Sequence, residues 1–294
     1  MMPTMPYVPA VRADASPAPD DLVAAVVERG VVLTPELELP PLAALDGVAD
    51  LTPLGTVDGR RAWRGVLNTA APEGLVRLDW SECLGHPSLT MALARTLQLT
   101  AWRQAHRFCG ACRTELTDID GMIGRRCPEC GLFEFPKSQP VALVAVWRHS
   151  PTSGRPEVVL ARHTYGAVGL WALIGGYIDP AETFEQGAVR EVAEEVGLAI
   201  TDLRYFGSEG WGLREPPSIL AAAFTARAVD PSAEPVVDDH EIAEARYFPL
   251  DDLPAPRPPD NMIASRAIAH LAATLSAPPP PQRDLNRPPW TTEQ

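Results

Sequence analysis

The sequence has little that would tie it to a membrane or to an oxidising compartment. No run of eighteen apolar residues occurs, so no transmembrane helix and no membrane partner are expected. The opening stretch, MMPTMPYVPAVRADASPAPD, lacks the apolar core of a secretory signal, which points to a cytoplasmic location. Cysteine is scarce, with five in 294 residues, and four of these form two C-x-x-C pairs. In a reducing compartment that pattern argues for metal rather than disulfides. The fifth, Cys83, stands apart and reads as a small buried hydrophobe. Positive charge is also in deficit. With 25 Lys and Arg against 38 Asp and Glu, the net charge of -13 repels a nucleic-acid backbone at long range and excludes nonspecific nucleic-acid binding. A small anionic ligand would need cations gathered locally.

A chain of this length with 46% hydrophobic residues can bury two cores. Of its 32 prolines, five precede residue 20 and six follow residue 277, so disordered tails are expected over 1–20 and 277–294. The apolar runs LVAAVV, AWRGVL and LVRLDW suggest an N-terminal α+β domain over 21–104. A helix over 88–108 leads into the cysteine-bearing segment 105–135, and a second domain spans 136–276. In it, strands are expected at 141–147, 158–161 and 171–174, then a helix, three more strands and a closing helix at SRAIAHLAATL.

Cys109-Gly-Ala-Cys112 and Cys127-Pro-Glu-Cys130 are fourteen residues apart. Four thiolates at this spacing suit a tetrahedral zinc site in which each pair makes a tight knuckle. A saturated sulfur shell leaves no place for water, so such a metal is structural.

The segment GGYIDPAETFEQGAVREVAEEVGL, 175 to 198, carries the densest charge. Thr183 and Gln186 form a capping box that starts a helix at Phe184, and Gly197 ends it. At about 100° per residue, Phe184, Ala188, Val192 and Val196 make an apolar stripe. Glu191, Glu194 and Glu195 occupy the neighbouring arc, where they repel one another unless a cation lies between them. Magnesium or manganese fits such an oxygen set.

Gly176, then Glu182 after five residues, Arg190-Glu191 after seven more, Val192, Glu194-Glu195 and Gly197-Leu198 match the box of the Nudix hydrolases. The chain thus resembles a family that cleaves nucleoside diphosphates linked to another moiety, on an αβα sandwich with a mixed sheet. By that resemblance Glu191 and Glu195 are the principal metal ligands, with Glu194 a further ligand or base. Arg190 pairs with Glu182 to brace the loop, and the Gly175 carbonyl adds a ligand. A four-cysteine ribbon ahead of the box is similar to the NADH pyrophosphatase subfamily, whose members split NAD(H) into a nicotinamide mononucleotide and AMP, act as homodimers and in some cases remove NAD caps from RNA. The later segment DDHEIAEARYFPLDDLP also resembles theirs, and by that resemblance Glu241 is an additional metal ligand.

The pattern departs from the subfamily past the box. Its S-Q-P-W-P-F-P-x-S motif is replaced by Ser208-Glu-Gly-Trp211 through Pro217-Ser218, with two extra residues, and Glu209 stands where a neutral amide is expected. The substrate is therefore open among NAD(H), ADP-ribose, another dinucleotide and capped RNA, and a nucleotide-sensing module is a third class of reading. Tyr177, Trp211 and Phe135 are aromatic surfaces for stacking a base or nicotinamide, Ser218 belongs to the nucleotide pocket by resemblance to the subfamily motif, and Arg162 and His163 could reach phosphate.

Overall fold

The computed structural model describes residues 7–10, 16–28, 30–79, 87–120, 122–164, 169–211, 218–237 and 241–276. Cys83, the segment 277–294 and the side chain of Trp211 lie outside the described residues. The chain divides into two compact units, 1–139 with 210–220 and 140–209 with 221–294.

The first unit holds β1 (Tyr7–Pro9), β2 (Leu22–Val27), β3 (Gly30–Leu33), β4 (Val48–Val57), β5 (Arg60–Leu67), β6 (Val76–Asp79) and α1 (Pro87–Ala105). The sheet runs β1-β4-β5-β2-β3-β6, antiparallel throughout except for the parallel pair β2 and β5. All of β2, LVAAVV, is buried because both faces of the sheet are covered. Leu22 and Ala24 join Leu89 and Leu93 of α1 in one cluster, while Val23, Ala25 and Val27 join Trp63 and Leu67 in another. Period-two alternation thus serves two cores at once. In the same unit β7 (Thr117–Asp118), β8 (Arg125–Arg126) and β9 (Phe133–Glu134) form a small antiparallel sheet beside the cysteines.

The disordered tail expected over 1–20 needs correction. Tyr7, 3% exposed, donates its hydroxyl to the Leu54 carbonyl at 2.8 Å, and Tyr7–Pro9 pair with β4 as an edge strand. A single buried aromatic anchors this strand, and a count of prolines does not register it.

The second unit carries most of β10 (Ser138–His149), β11 (Pro156–His163), β12 (Ile174–Tyr177), α2 (Phe184–Val196), most of β13 (Ile200–Trp211) and β14 (Ser218–Ala228), β15 (Ile242–Pro249) and α3 (Ile263–Ser276). Its sheet order is β13-β14-β10-β11-β15, with β12 added along β10. Ala188, Val192 and Val196 of α2 pack into a cluster with Val144, Val146, Val159, Ile174 and Phe224. Buried Val158 and Leu160 fall outside that cluster, as do Ile263, Ala267, Ile268 and Leu271 of α3. The helices therefore cover different faces of the sheet, the αβα arrangement that the resemblance implies.

The strands expected at 141–147 and 158–161 lie inside β10 and β11, but the one expected at 171–174 begins only at its last residue. The ladder with β10 runs from Ile174 to Tyr177, and a Cβ on Gly175 would stand 2.0 Å from the Ala142 carbonyl. Gly175 thus lets β12 approach β10 at the point where the charged segment begins.

If Tyr7 anchors β1, Tyr7→Ala should lower stability by about 3 kcal/mol, read by urea unfolding, whereas a residue in a loose tail would leave the midpoint unchanged.

Candidate active site

The charged helix begins and ends where its capping residues place it. Thr183 Oγ1 accepts from the Gln186 N–H at 3.2 Å while Gln186 Oε1 accepts from the Thr183 N–H at 2.9 Å, and Gly197 closes the helix with φ of +66°. The buried stripe of α2 fixes its rotation, which turns Glu191 and Glu195 towards β12, at 9% and 7% exposure, and leaves Glu194 in solvent.

Arg190 is the hub. Its Nε and Nη2 bond Glu182 Oε1 and Oε2 at 2.9 and 2.8 Å in a bidentate fork, and its Nη1 reaches Glu191 Oε1 at 2.6 Å and Glu194 Oε2 at 2.9 Å. Nη2 also donates to the Tyr177 carbonyl at 2.8 Å. The expected Arg190–Glu182 brace is thus one arm of a larger clamp that ties the turn, β12 and the helix together. Those Arg190 bonds, with help from the Asp179 N–H, hold the Glu182 carboxyl down to about 2.

Glu195 is placed in the opposite situation. Burial pushes its carboxyl up to about 8, against the pull of the Gly175 N–H, which donates to Oε2 at 3.1 Å, and Glu191, Glu241 and Glu194 push it further. Burial raises Glu191 as well, with Arg190 opposing. Gly176 lies directly beneath this carboxylate: a Cβ there would stand 2.4 Å from Glu191 Cδ. Glu241 precedes β15 and is held by its backbone, its carbonyl accepting from the Thr164 N–H at 2.9 Å. Two buried acids that resist ionisation, with a third acid bearing on both, form a site short of positive charge. The all-oxygen donor set suits a hard divalent cation.

The sulfur cluster is complete in its own way. Among the described residues, the one group of potential ligand atoms converging within 4.8 Å is Cys109, Cys112, Cys127 and Cys130. The two pairs fold alike, since Cys109 N bonds Thr114 O and Cys127 N bonds Leu132 O, both at 2.8 Å, and the residues four places on, Arg113 and Gly131, both take positive φ. Sulfur–sulfur distances of 3.4 and 3.6 Å approach the roughly 3.8 Å edge of a tetrahedron with about 2.3 Å metal–sulfur bonds. Hydrogen bonds from Thr114 hold the Cys112 thiol down to about 6, while Cys130, despite the pull of the Leu132 N–H, is pushed up to about 12 by the neighbouring sulfurs. One thiolate raises the cost of the next across the cluster.

The other expected residues scatter. Tyr177 is 53% exposed beside the box glycine. Phe135 belongs to the first unit, stacked on Phe133 at 6.3 Å and covering Gly124. Ser218 is engaged with Ser138 Oγ at 2.8 Å and the Lys137 carbonyl at 3.2 Å. Arg162 pairs with Glu244 and lies over the Trp171 ring at 4.9 Å, and burial lowers the His163 pKa against Glu241. Glu209 has a local role: its Oε2 accepts from the Ile263 N–H at 2.8 Å and from Arg266 at 3.3 Å, capping α3. Trp211 and Pro217 lie in the stretch whose side chains are outside the described residues.

Residues 138–271 match the NUDIX domain model. The NAD-capped RNA hydrolase NudC of Deinococcus radiodurans is 33% identical over 260 residues, 88% of this chain and 90% of that protein. The proteins of the same name from Chromobacterium violaceum and Pseudomonas aeruginosa are each 37% identical, over 61% and 58% of this chain and over 63% and 57% of their own lengths. Identity that runs through nearly the whole of the Deinococcus protein, on a box whose helix, clamp and glycine turn are all in place, makes this chain a member of the Nudix hydrolase family, in its NADH pyrophosphatase subfamily.

Proposed function

We propose that this protein hydrolyses the diphosphate bond of NAD(H), giving a nicotinamide mononucleotide and AMP, and that NAD-capped RNA, which ends in the same linkage, enters the same reaction. In this reading the observation that carries most weight is the pair of buried, ionisation-resistant acids Glu191 and Glu195 beside the glycine turn. Relatives named as NAD-capped RNA hydrolases support the choice of substrate.

Glu191 and Glu195 would hold Mg2+ or Mn2+, with Glu241, the Gly175 carbonyl and Glu194 completing the set. When bound, such an ion neutralises phosphate charge and acidifies a water. The residues of the chain do the rest. Arg190 and Glu182 keep the turn fixed, so that the carboxylates need not reorganise during turnover. Tyr177, exposed at the turn, offers a face for the nicotinamide or the base. Water oxygen bonds to one phosphorus, the bridging P–O bond breaks, and the second phosphate departs as the other mononucleotide. Zinc on the four sulfurs is structural in this reading. A homodimer in the cytoplasm belongs to the same proposal.

Supplying Mg2+ or Mn2+ with NADH, NAD, ADP-ribose and NAD-capped RNA, and weighing the products, tests the reading. AMP with the nicotinamide mononucleotide is the expected result, cleavage of ADP-ribose alone would reassign the substrate, and no cleavage would favour a sensing module. Glu191→Gln and Glu195→Gln should abolish turnover without unfolding the protein. Arg190→Ala, which only orients the ligands, should cost about 10- to 100-fold.

Because the folded Glu195 pKa lies above the unfolded value, the protonated acid favours the fold at low pH. That contribution is lost as pH rises from the ordinary glutamate range through about 8. Without divalent ions the melting temperature should fall over this window, Glu195→Gln should flatten the slope, and Mg2+ should stabilise more at pH 8.5 than at pH 5.

Metal analysis should find about one zinc per chain, and Cys109→Ser should lower the melting temperature. Unchanged melting with lost activity would contradict a structural role.

A further inference from the structure

The first unit contains a cavity of about 310 Å³ that the diphosphatase reading does not use. It is lined by Asp50 of β4, Arg64 of β5, Asn68, Arg103 and Gln104 of α1, Arg107 and Arg125 of β8, among others. Four guanidinium groups around one cavity are unexpected in a chain of net charge -13.

Three of the four are deeply set, with side chains 1%, 8% and 14% exposed for Arg64, Arg103 and Arg125. They form an alternating ladder. Arg64 Nη2 bonds Asp50 Oδ2 at 2.8 Å, Arg103 Nη2 bridges Asp50 Oδ1 at 2.7 Å and Asp118 Oδ2 at 2.6 Å, and Arg125 Nε bonds Asp118 Oδ1 at 3.0 Å. A ladder that starts and ends on a cation has three positive charges against two negative. Arg125 Nη1 also donates to the carbonyls of Arg103 and His106 at the end of α1, where the helix offers about half a negative charge. Arg107 stands at the rim, 61% exposed, and its contact with Glu115 at 3.4 Å is open to solvent on both sides and therefore weak. Burial draws Arg64 below its ordinary value against the support of Asp50, while at Arg103 burial is outweighed by Asp118 and Asp50, which hold that guanidinium above its ordinary value.

A ladder whose only task was to fasten the cysteine-bearing segment to the sheet would be most stable with its charges balanced, because an uncompensated buried ion costs several kcal/mol. The surplus here faces a concave space near the lower limit for small-molecule sites, about 300 Å³. Guanidinium forks match phosphate oxygens, and the amides of Asn68 and Gln104 add neutral donors and acceptors at the mouth.

We propose that this cavity is a binding site for a phosphate monoester dianion of mononucleotide size, separate from the acidic site on α2. Two charges on one phosphate, held by the ladder and Arg107, neutralise the surplus. The site needs no divalent ion, so it can be probed while the glutamate cluster is left without one.

The test uses the full-length, zinc-loaded protein in buffer free of Mg2+ and Mn2+. Inorganic phosphate and AMP are titrated at constant ionic strength set with chloride, and heat and melting temperature are followed. Both ligands should bind saturably and raise the melting temperature. Gln104→Glu and Arg107→Ala change exposed positions and leave the ladder intact, and each should weaken binding about tenfold or more. Gln104→Lys should retain it. Phosphate binding without AMP binding would overturn the mononucleotide assignment. Absence of saturable binding, or equal affinity in wild type and both weakening variants, would overturn the site.

Discussion

Carboxylates that are buried side by side must either give up ionisation or be met by positive charge, and the second unit is organised around that constraint. Glu191 and Glu194 of α2 and Glu182 of the turn before it are answered by a single arginine, whose five donors reach all three and the Tyr177 carbonyl. Glu195 is beyond that reach and has only the Gly175 N–H, so its proton is held most tightly. The clamp has two consequences. It fixes the turn before the helix, and it leaves one acidic corner uncompensated, the corner where a hard cation would be most stabilised.

That corner exists because two unrelated requirements meet in the sequence Gly175-Gly176. The first glycine lets β12 lie against the Ala142 carbonyl, and the second leaves room for the Glu191 carboxylate. The apolar stripe Ala188, Val192 and Val196 then presses α2 onto the sheet so that Glu191 and Glu195 are turned down rather than out. Here the core does more than stabilise, because its packing sets the rotation that decides which acids are buried and which, like Glu194, remain in water.

Features governed by neighbours in sequence were legible before the fold was known. Thr183, Gln186 and Gly197 mark the ends of α2 through hydrogen bonds spanning three or four residues, and each C-x-x-C pair closes its own knuckle. Features governed by distant partners were not legible. The strand at Tyr7–Pro9 depends on a hydroxyl reaching Leu54, and Glu209, which stands where a neutral amide is expected, caps a helix through the distant Ile263 N–H. The Arg64–Asp50–Arg103–Asp118–Arg125 ladder joins β4, β5, α1, β7 and β8, and no local pattern announces it.

The choice of cation follows from the same constraint. Lys137 is the only lysine in the sequence, so 25 − 1 = 24 of the basic residues are arginine. A lysine at 190 could neutralise one acid but could not grip Glu182 with a fork while also holding Glu191, Glu194 and a carbonyl. A lysine at 103 could not grip both oxygens of Asp50 with a fork through Nε and Nη2 while also holding Asp118. In a chain with an excess of acid, each buried cation has to serve several partners at fixed angles, and the planar guanidinium is the side chain that can do so without losing its charge.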